Sequence, residues 1–194
     1  MNFAIEVCQS IFKTIKDYAP KGFIIGYRIS PEEIHGNNIG YTWHESTQLI
    51  KKLTERFDFD YIHISLLQYD AKPADANKTY CELMRAVMPD DTKLLVAGSI
   101  NTNEKMCDAL NYVDIISLGR STWIDPEIGR KISEGRLDDI DREFNERTVN
   151  HSKIPAGTIS VLAQTPDFAM PGIDDLKQIN SFTLNMQMTN NGTK

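Results

Sequence analysis

Short apolar runs of β-forming residues alternate with stretches of helical spacing through most of this chain. The runs are residues 23–29, 61–65, 93–97 and 114–118. Ahead of the first, Ala4, Val7, Cys8, Ile11, Ile15 and Tyr18 recur at helical spacing until Pro20 and Gly22 stop the pattern. After a Gly- and Asn-rich loop at 31–41, Thr42 and Glu45 have the form of a capping box ahead of Leu49, Ile50, Leu53 and Phe57. Tyr80, Leu83, Met84 and Val87 mark the next helix, and Asn101 with Glu104 forms a second possible capping box for a third. Asp125-Pro126-Glu127 reads as a helix start and Gly135 as its stop, with Leu137, Ile140 and Phe144 suggesting one more short helix. Regular alternation of this kind predicts a parallel sheet with helices packed outside it. From Val149 the pattern dissolves among Pro155, Pro166 and Pro171, which predicts an irregular arm over 149–194 whose last residues fray, beside a domain over 1–148.

Composition removes several classes of function. With 21 Lys and Arg against 27 Asp and Glu, the net charge is -6 and no stretch concentrates the basic residues, so no nucleic-acid face is expected. Cys8, Cys81 and Cys107 are odd in number and far apart, without a CxxC, which argues against a disulfide framework or a thiolate metal site. No apolar run approaches the length of a membrane span, and the first residues carry Glu6 and no basic cluster. The expectation is a soluble, cytoplasmic, acidic protein.

In parallel α/β folds ligands sit beyond the C-terminal ends of the strands, so chemistry is sought at Arg28 with Ser30, at Ser65, at Gly98-Ser99 and at Gly119-Arg120. A glycine at a strand end lets backbone N–H groups approach an anion, and an arginine beside it can fork onto phosphate. Two consecutive units ending in this way point to an anion site, against the plainer alternative of turn glycines and a surface arginine. Arg28 follows an apolar run and must reach a carboxylate such as Glu32 or Glu33, a ligand, or solvent. His63, between Ile62 and Ile64, reads as a core or interface histidine rather than a ligand. There is no HExxH, no GxSxG elbow and no GxGxxG after the first strand.

Several of these segments resemble a known family in order. Gly26-Tyr27-Arg28-Ile29-Ser30-Pro31-Glu32-Glu33 is similar to a strand and loop of the Old Yellow Enzyme family of flavin-dependent NADH:flavin oxidoreductases. Gly40-Tyr41-Thr42, residues 60–65, residues 96–100, and Leu118-Gly119-Arg120 followed by Asp125-Pro126-Glu127 resemble that family's successive elements. Gly135-Arg136, Pro155 and Pro171-Gly172-Ile173 resemble the tail of one bacterial branch. The resemblance implies a (β/α)8 barrel that binds FMN and takes electrons from NADH or NADPH to reduce activated alkenes, flavins or quinone-like acceptors. It implies that Arg28 contacts the flavin pyrimidine at its N1–O2 edge and that Gly98, Ser99, Gly119 and Arg120 hold the FMN phosphate.

The same resemblance aligns the chain with only strands five to eight, the C-terminal half of a TIM barrel that in full takes ~250 residues. The elements that would carry the substrate-orienting pair and the tyrosine proton donor have no counterpart here, so no catalytic acid is assigned. A half barrel leaves two strand edges and an apolar face open. The expected partner is either a second copy of the chain or a separate polypeptide supplying strands one to four. The rival reading is a non-catalytic half-barrel assembly module or a truncated gene product, without flavin, and a small open flavodoxin-like sheet is a third.

Overall fold

The computed structural model describes residues 1–163 and 170–173, which form two compact units. The first comprises residues 1–100 and 104–117, the second residues 101–103 and those from 118 onward. The frayed tail anticipated at 180–194, like Pro166, lies outside the described residues.

The first unit is built on a four-stranded parallel sheet. Its strands are β1 (Gly26–Ile29), β4 (Tyr61–Ser65), β5 (Lys93–Ala97) and β6 (Ile115–Ile116), in the order β1-β4-β5-β6. The registers Arg28↔His63↔Leu95↔Ile115 and Ile29↔Ile64↔Val96↔Ile116 follow from successive pairings. One sheet face is sealed: Ile62, Ile64, Leu94 and Val96 are fully buried, as are Ile50 and Leu53 of α2 (Trp43–Thr54) and Cys81 of α3 (Tyr80–Arg85). The alternate residues Tyr61, His63, Ser65, Leu95 and Ala97 point to the other face and are only half-buried. The capping box of Thr42 and Glu45 forms as anticipated, and Thr79 with Glu82 makes another ahead of α3.

Four local expectations are corrected. The strand foreseen at 23–29 is shortened to 26–29, because only those residues find a ladder partner in β4. The strand foreseen at 114–118 is reduced to Ile115–Ile116, with Leu118 already in the second unit. The loop at 31–41 holds a hairpin, β2 (Glu33–His35) with β3 (Asn38–Tyr41), in which Ile34 pairs with Ile39 around a Gly36-Asn37 turn. The helix α4 begins at Asn103 rather than after a cap at Asn101: the Asn101 side-chain oxygen is buried with no hydrogen-bond partner among the described residues, and Arg142 donates to the Asn101 carbonyl at 2.9 Å.

In the second unit, α5 (Arg120–Ile124) is followed by Asp125, which does not cap a helix starting at Pro126. α6 spans Ile128–Ser133, and the Asp125 carboxylate turns inward, fully buried, where it takes a 2.7 Å hydrogen bond from Lys131 Nζ and one from the backbone N–H of Glu127 and of Asp141 at 3.0 Å each. Burial pushes this carboxyl up, but Lys131 and the two N–H donors outweigh it and hold it below the ordinary range. The helix foreseen around Leu137 and Phe144 is one 3-10 turn, Leu137–Asp139. Phe144 instead joins Ile124, Ile159, Leu162, Met170 and Ile173 in the unit's core. Gly172 sits at φ +77, and a Cβ there would stand 2.2 Å from the Phe144 carbonyl, so the Pro171-Gly172-Ile173 turn closes onto Phe144 only with glycine. The stretch from 149, foreseen as irregular, completes α7 (Glu146–Ser152) and continues into α8 (Ala156–Ala163), since Pro155 offers its carbonyl to the N–H of Thr158 and Ile159 and so starts a helix rather than breaking one. No helix among the described residues is long and apolar enough to cross a membrane.

Candidate functional site

Arg28 stands at the C-terminal end of β1 and points to the open sheet face. Its guanidinium donates to Ser65 Oγ at 2.7 Å, across to the end of β4. Neither glutamate suggested by the sequence pairs with it. Glu32 accepts a 2.6 Å hydrogen bond from the Tyr80 hydroxyl and another from the Trp43 backbone N–H at 3.2 Å. Among the described residues Arg28 forms no ion pair, and its side chain is exposed. A cleft of about 450 Å³ opens beside it, lined by Tyr27, Ser30, Tyr41 and Glu45 among others. Tyr41, at the end of the hairpin, donates to the Ser30 carbonyl at 2.9 Å and so ties the hairpin to the strand end. Burial, and secondarily the Glu33 carboxylate, pushes the Tyr41 hydroxyl up.

His63 is the register neighbour of Arg28 on the same face. Its Nε2 is buried and finds no hydrogen-bond partner among the described residues. Burial, reinforced by the Arg28 charge, holds its pKa below the ordinary value, so the imidazole stays neutral and Arg28 is the cation at this strand end. The alternation Tyr61-Ile62-His63-Ile64-Ser65 signals which face His63 occupies. Its neighbour could only be known once the β1–β4 register was.

The two glycine-bearing strand ends differ. Gly98 is buried, and a Cβ on it would stand 2.6 Å from Tyr69 N and 2.8 Å from the Gln68 carbonyl carbon. Its carbonyl accepts from Tyr69 N at 3.1 Å, and the Ala97 carbonyl accepts from Leu66 N at 2.8 Å. The chain leaving β4 therefore packs backbone to backbone against the end of β5. Beyond it Ser99 adopts φ +48, a left-handed conformation rare for serine, which turns the main chain away from the strand direction. Gly119 is exposed, with no neighbouring atom of the described residues within 4 Å of where a Cβ would stand, and Arg120 opens α5. Arg28, Ser65, Gly98 and Ser99 thus lie at strand ends of the first unit, and Gly119 and Arg120 in the second.

Every one of these groups is a hydrogen-bond donor or makes room for one: two guanidinium groups, two serine hydroxyls, and backbone N–H at a left-handed serine and an open glycine. In the first unit, the Arg28 guanidinium held by Ser65 is a donor suited to an electron-rich edge or an anion.

The chain belongs to the NADH:flavin oxidoreductase / NADH oxidase family, whose profile matches residues 1–139. Among curated relatives it is 29% identical over 143 residues to a probable NADH-dependent flavin oxidoreductase of Bacillus subtilis, covering 72% of this chain and 38% of that protein. It is 26% identical over 171 residues to an uncharacterized oxidoreductase of Streptococcus pyogenes, covering 84% of this chain and 43% of that protein. An NADH:fumarate oxidoreductase of Klebsiella pneumoniae matches at 25% over 87% of this chain and 19% of its own length. The chain thus spans less than half the length of each of these relatives. Among solved structures, histamine dehydrogenase from Rhizobium sp. 4-9 shares the fold over 71% of this chain and 20% of its own, with a TM-score of 0.54 at 21% identity.

Proposed function

We propose that this chain supplies the C-terminal half of an FMN-dependent NAD(P)H oxidoreductase, with its four parallel strands standing as strands five to eight of a barrel. The observation that carries the reading is Arg28: a cation at a strand end, tethered to Ser65 and without an ion pair among the described residues, in a chain of this family. Bound FMN would supply hydride transfer between a nicotinamide and an acceptor. Arg28 would hold the N1–O2 edge of the isoalloxazine and stabilise the negative charge that gathers there on reduction. Ser65 keeps the guanidinium at the strand end, and neutral His63 beneath it avoids a second positive charge. Ser99, with Gly98 fixing its backbone, and Gly119 with Arg120 would take the phosphate through N–H groups, a hydroxyl and a guanidinium. NADH is the reductant named for the Bacillus and Klebsiella relatives. The protein is cytoplasmic in this reading, and a polypeptide carrying strands one to four would complete the active site with the proton donor.

The test is a fluorescence titration of the full chain with FMN. Removing the Arg28 charge deletes a charge-assisted bond of about 1.5–3 kcal/mol, so Arg28→Gln is expected to weaken FMN binding by roughly 10- to 150-fold. A wild-type chain that leaves FMN fluorescence unchanged contradicts the reading.

A further inference from the structure

His63 lies in the middle of β4 on the open sheet face. Its register neighbours are Arg28 on β1 and Leu95 on β5, and Ser65, two residues on, holds the Arg28 guanidinium. The helices α1 (Asn2–Tyr18), α2 and α3 bury Cys8, Ile50, Leu53 and Cys81 against the opposite face, where Cys8 stands beside Tyr27. The charges that face His63 within the first unit therefore come from the strands. They are Arg28 and, at the far end of β5, Lys93, which pairs with Tyr61, the other titratable group of the face. Glu45 lines the cleft beside Arg28, but the N–H and hydroxyl of Thr42 bond its carboxylate. Nothing among the described residues bonds His63 Nε2, so no carboxylate there holds a proton on it in advance.

We propose, resting on the flavin reading above, that His63 couples negative charge at Arg28 to a proton and so determines how strongly the chain prefers reduced over oxidised flavin. Burial, and then the Arg28 charge, keep the ring neutral. A negative charge brought up to the guanidinium offsets the second cause and leaves the first. Hydride transfer from a nicotinamide gives the flavin two electrons and one hydrogen nucleus, and one negative charge gathers at the edge that Arg28 holds. His63 then takes one proton from solvent onto its unprotonated ring nitrogen, which balances the charge added to the flavin. Linkage is reciprocal: a ligand that draws a proton onto His63 is bound more tightly as pH falls through the range where that proton adds. Burial persists, so this range lies on the acidic side of the ordinary imidazole value of 6.5.

NMR titration of the imidazole signals of the full chain tests this, with His63 assigned by the signal missing in His63→Gln. In the flavin-free chain Arg28→Gln is expected to raise the His63 midpoint, and Arg28→Lys, which keeps the charge, to restore most of the wild-type behaviour. With FMN bound, reduction by dithionite is expected to raise the midpoint above that of the oxidised complex, a comparison that needs no substitution at Arg28. From about pH 7.5 to about pH 5.5, the wild-type preference for reduced over oxidised FMN should grow about 3- to 10-fold relative to His63→Gln. A midpoint indifferent to Arg28→Gln, or the same midpoint in both redox states of bound FMN, overturns the proposal and leaves the flavin reading standing. A chain that binds no FMN overturns both.

Discussion

Gly98-Ser99 and Gly119-Arg120 look alike as text, a glycine and a polar residue closing an apolar run, and the molecule uses them differently. Gly98 is required by packing: the backbone of Gln68 and Tyr69 occupies the space a side chain would need. At Gly119 no atom of the described residues occupies that space, so packing does not require a glycine there. A glycine at a strand end is thus consistent both with a phosphate loop and with a crowded crossing of two chain segments. Only the atoms around the absent Cβ tell them apart.

The largest effect that sharpens this comparison concerns the scaffold behind Gly119-Arg120. Lys131→Met leaves the Asp125 carboxylate buried without its cation and should cost about 3–5 kcal/mol, read as a drop in the denaturant midpoint. Next comes Gly98→Ala. Its methyl group must displace backbone rather than a flexible side-chain end, so a loss of roughly 1–3 kcal/mol is expected by the same measurement. A Gly98→Ala protein as stable as the wild type would break the distinction between the two glycines. A smaller effect concerns pH. His63 has a folded-state pKa below its ordinary 6.5. The unfolded chain therefore takes up the proton first, and stability is full above that value and declines as pH falls below it. In His63→Leu the decline over this window should shrink in a pH series of thermal melts. The smallest effect on folding is Gly119→Ala, expected within about 0.5 kcal/mol of wild type because φ is -86° and the space is open. A large loss of stability there would place Gly119 with Gly98 as a packing residue.

Much of the first unit could be read directly. The four runs became the four strands, and the Thr42–Glu45 box capped its helix, because both rest on interactions within a few residues. The hairpin at 33–41 escapes the alternation pattern because its strands are short and largely exposed. The signal was present in Gly36-Asn37 between Ile34 and Ile39, which cross-strand pairing joins. Asp125 carries the composition of an N-cap, but a buried lysine six residues later offered its carboxylate a stronger partner, and a side chain's choice between backbone and a distant charge is not written locally. Pro155 illustrates the same limit, since proline both breaks helices and starts them. Arg28, Ser65, Gly98 and Ser99 stand at strand ends because alternation marks where strands end, whereas Gly119 and Arg120 lie beyond the short β6, in the second unit. The contact of Arg28 with Ser65 and the unpartnered His63 nitrogen beside it depend on register, which no single segment specifies.

The central claim is that these strand ends recognise both the phosphate and the pyrimidine edge of FMN. Its most direct measurement compares FMN with riboflavin, which lacks the phosphate, as ligands of the full chain and of Arg120→Ala. The account predicts that FMN binds at least ~10-fold more tightly than riboflavin, and that Arg120→Ala removes most of that preference while leaving riboflavin affinity unchanged. Equal affinities for the two flavins in the wild-type chain, or a preference untouched by Arg120→Ala, would contradict it.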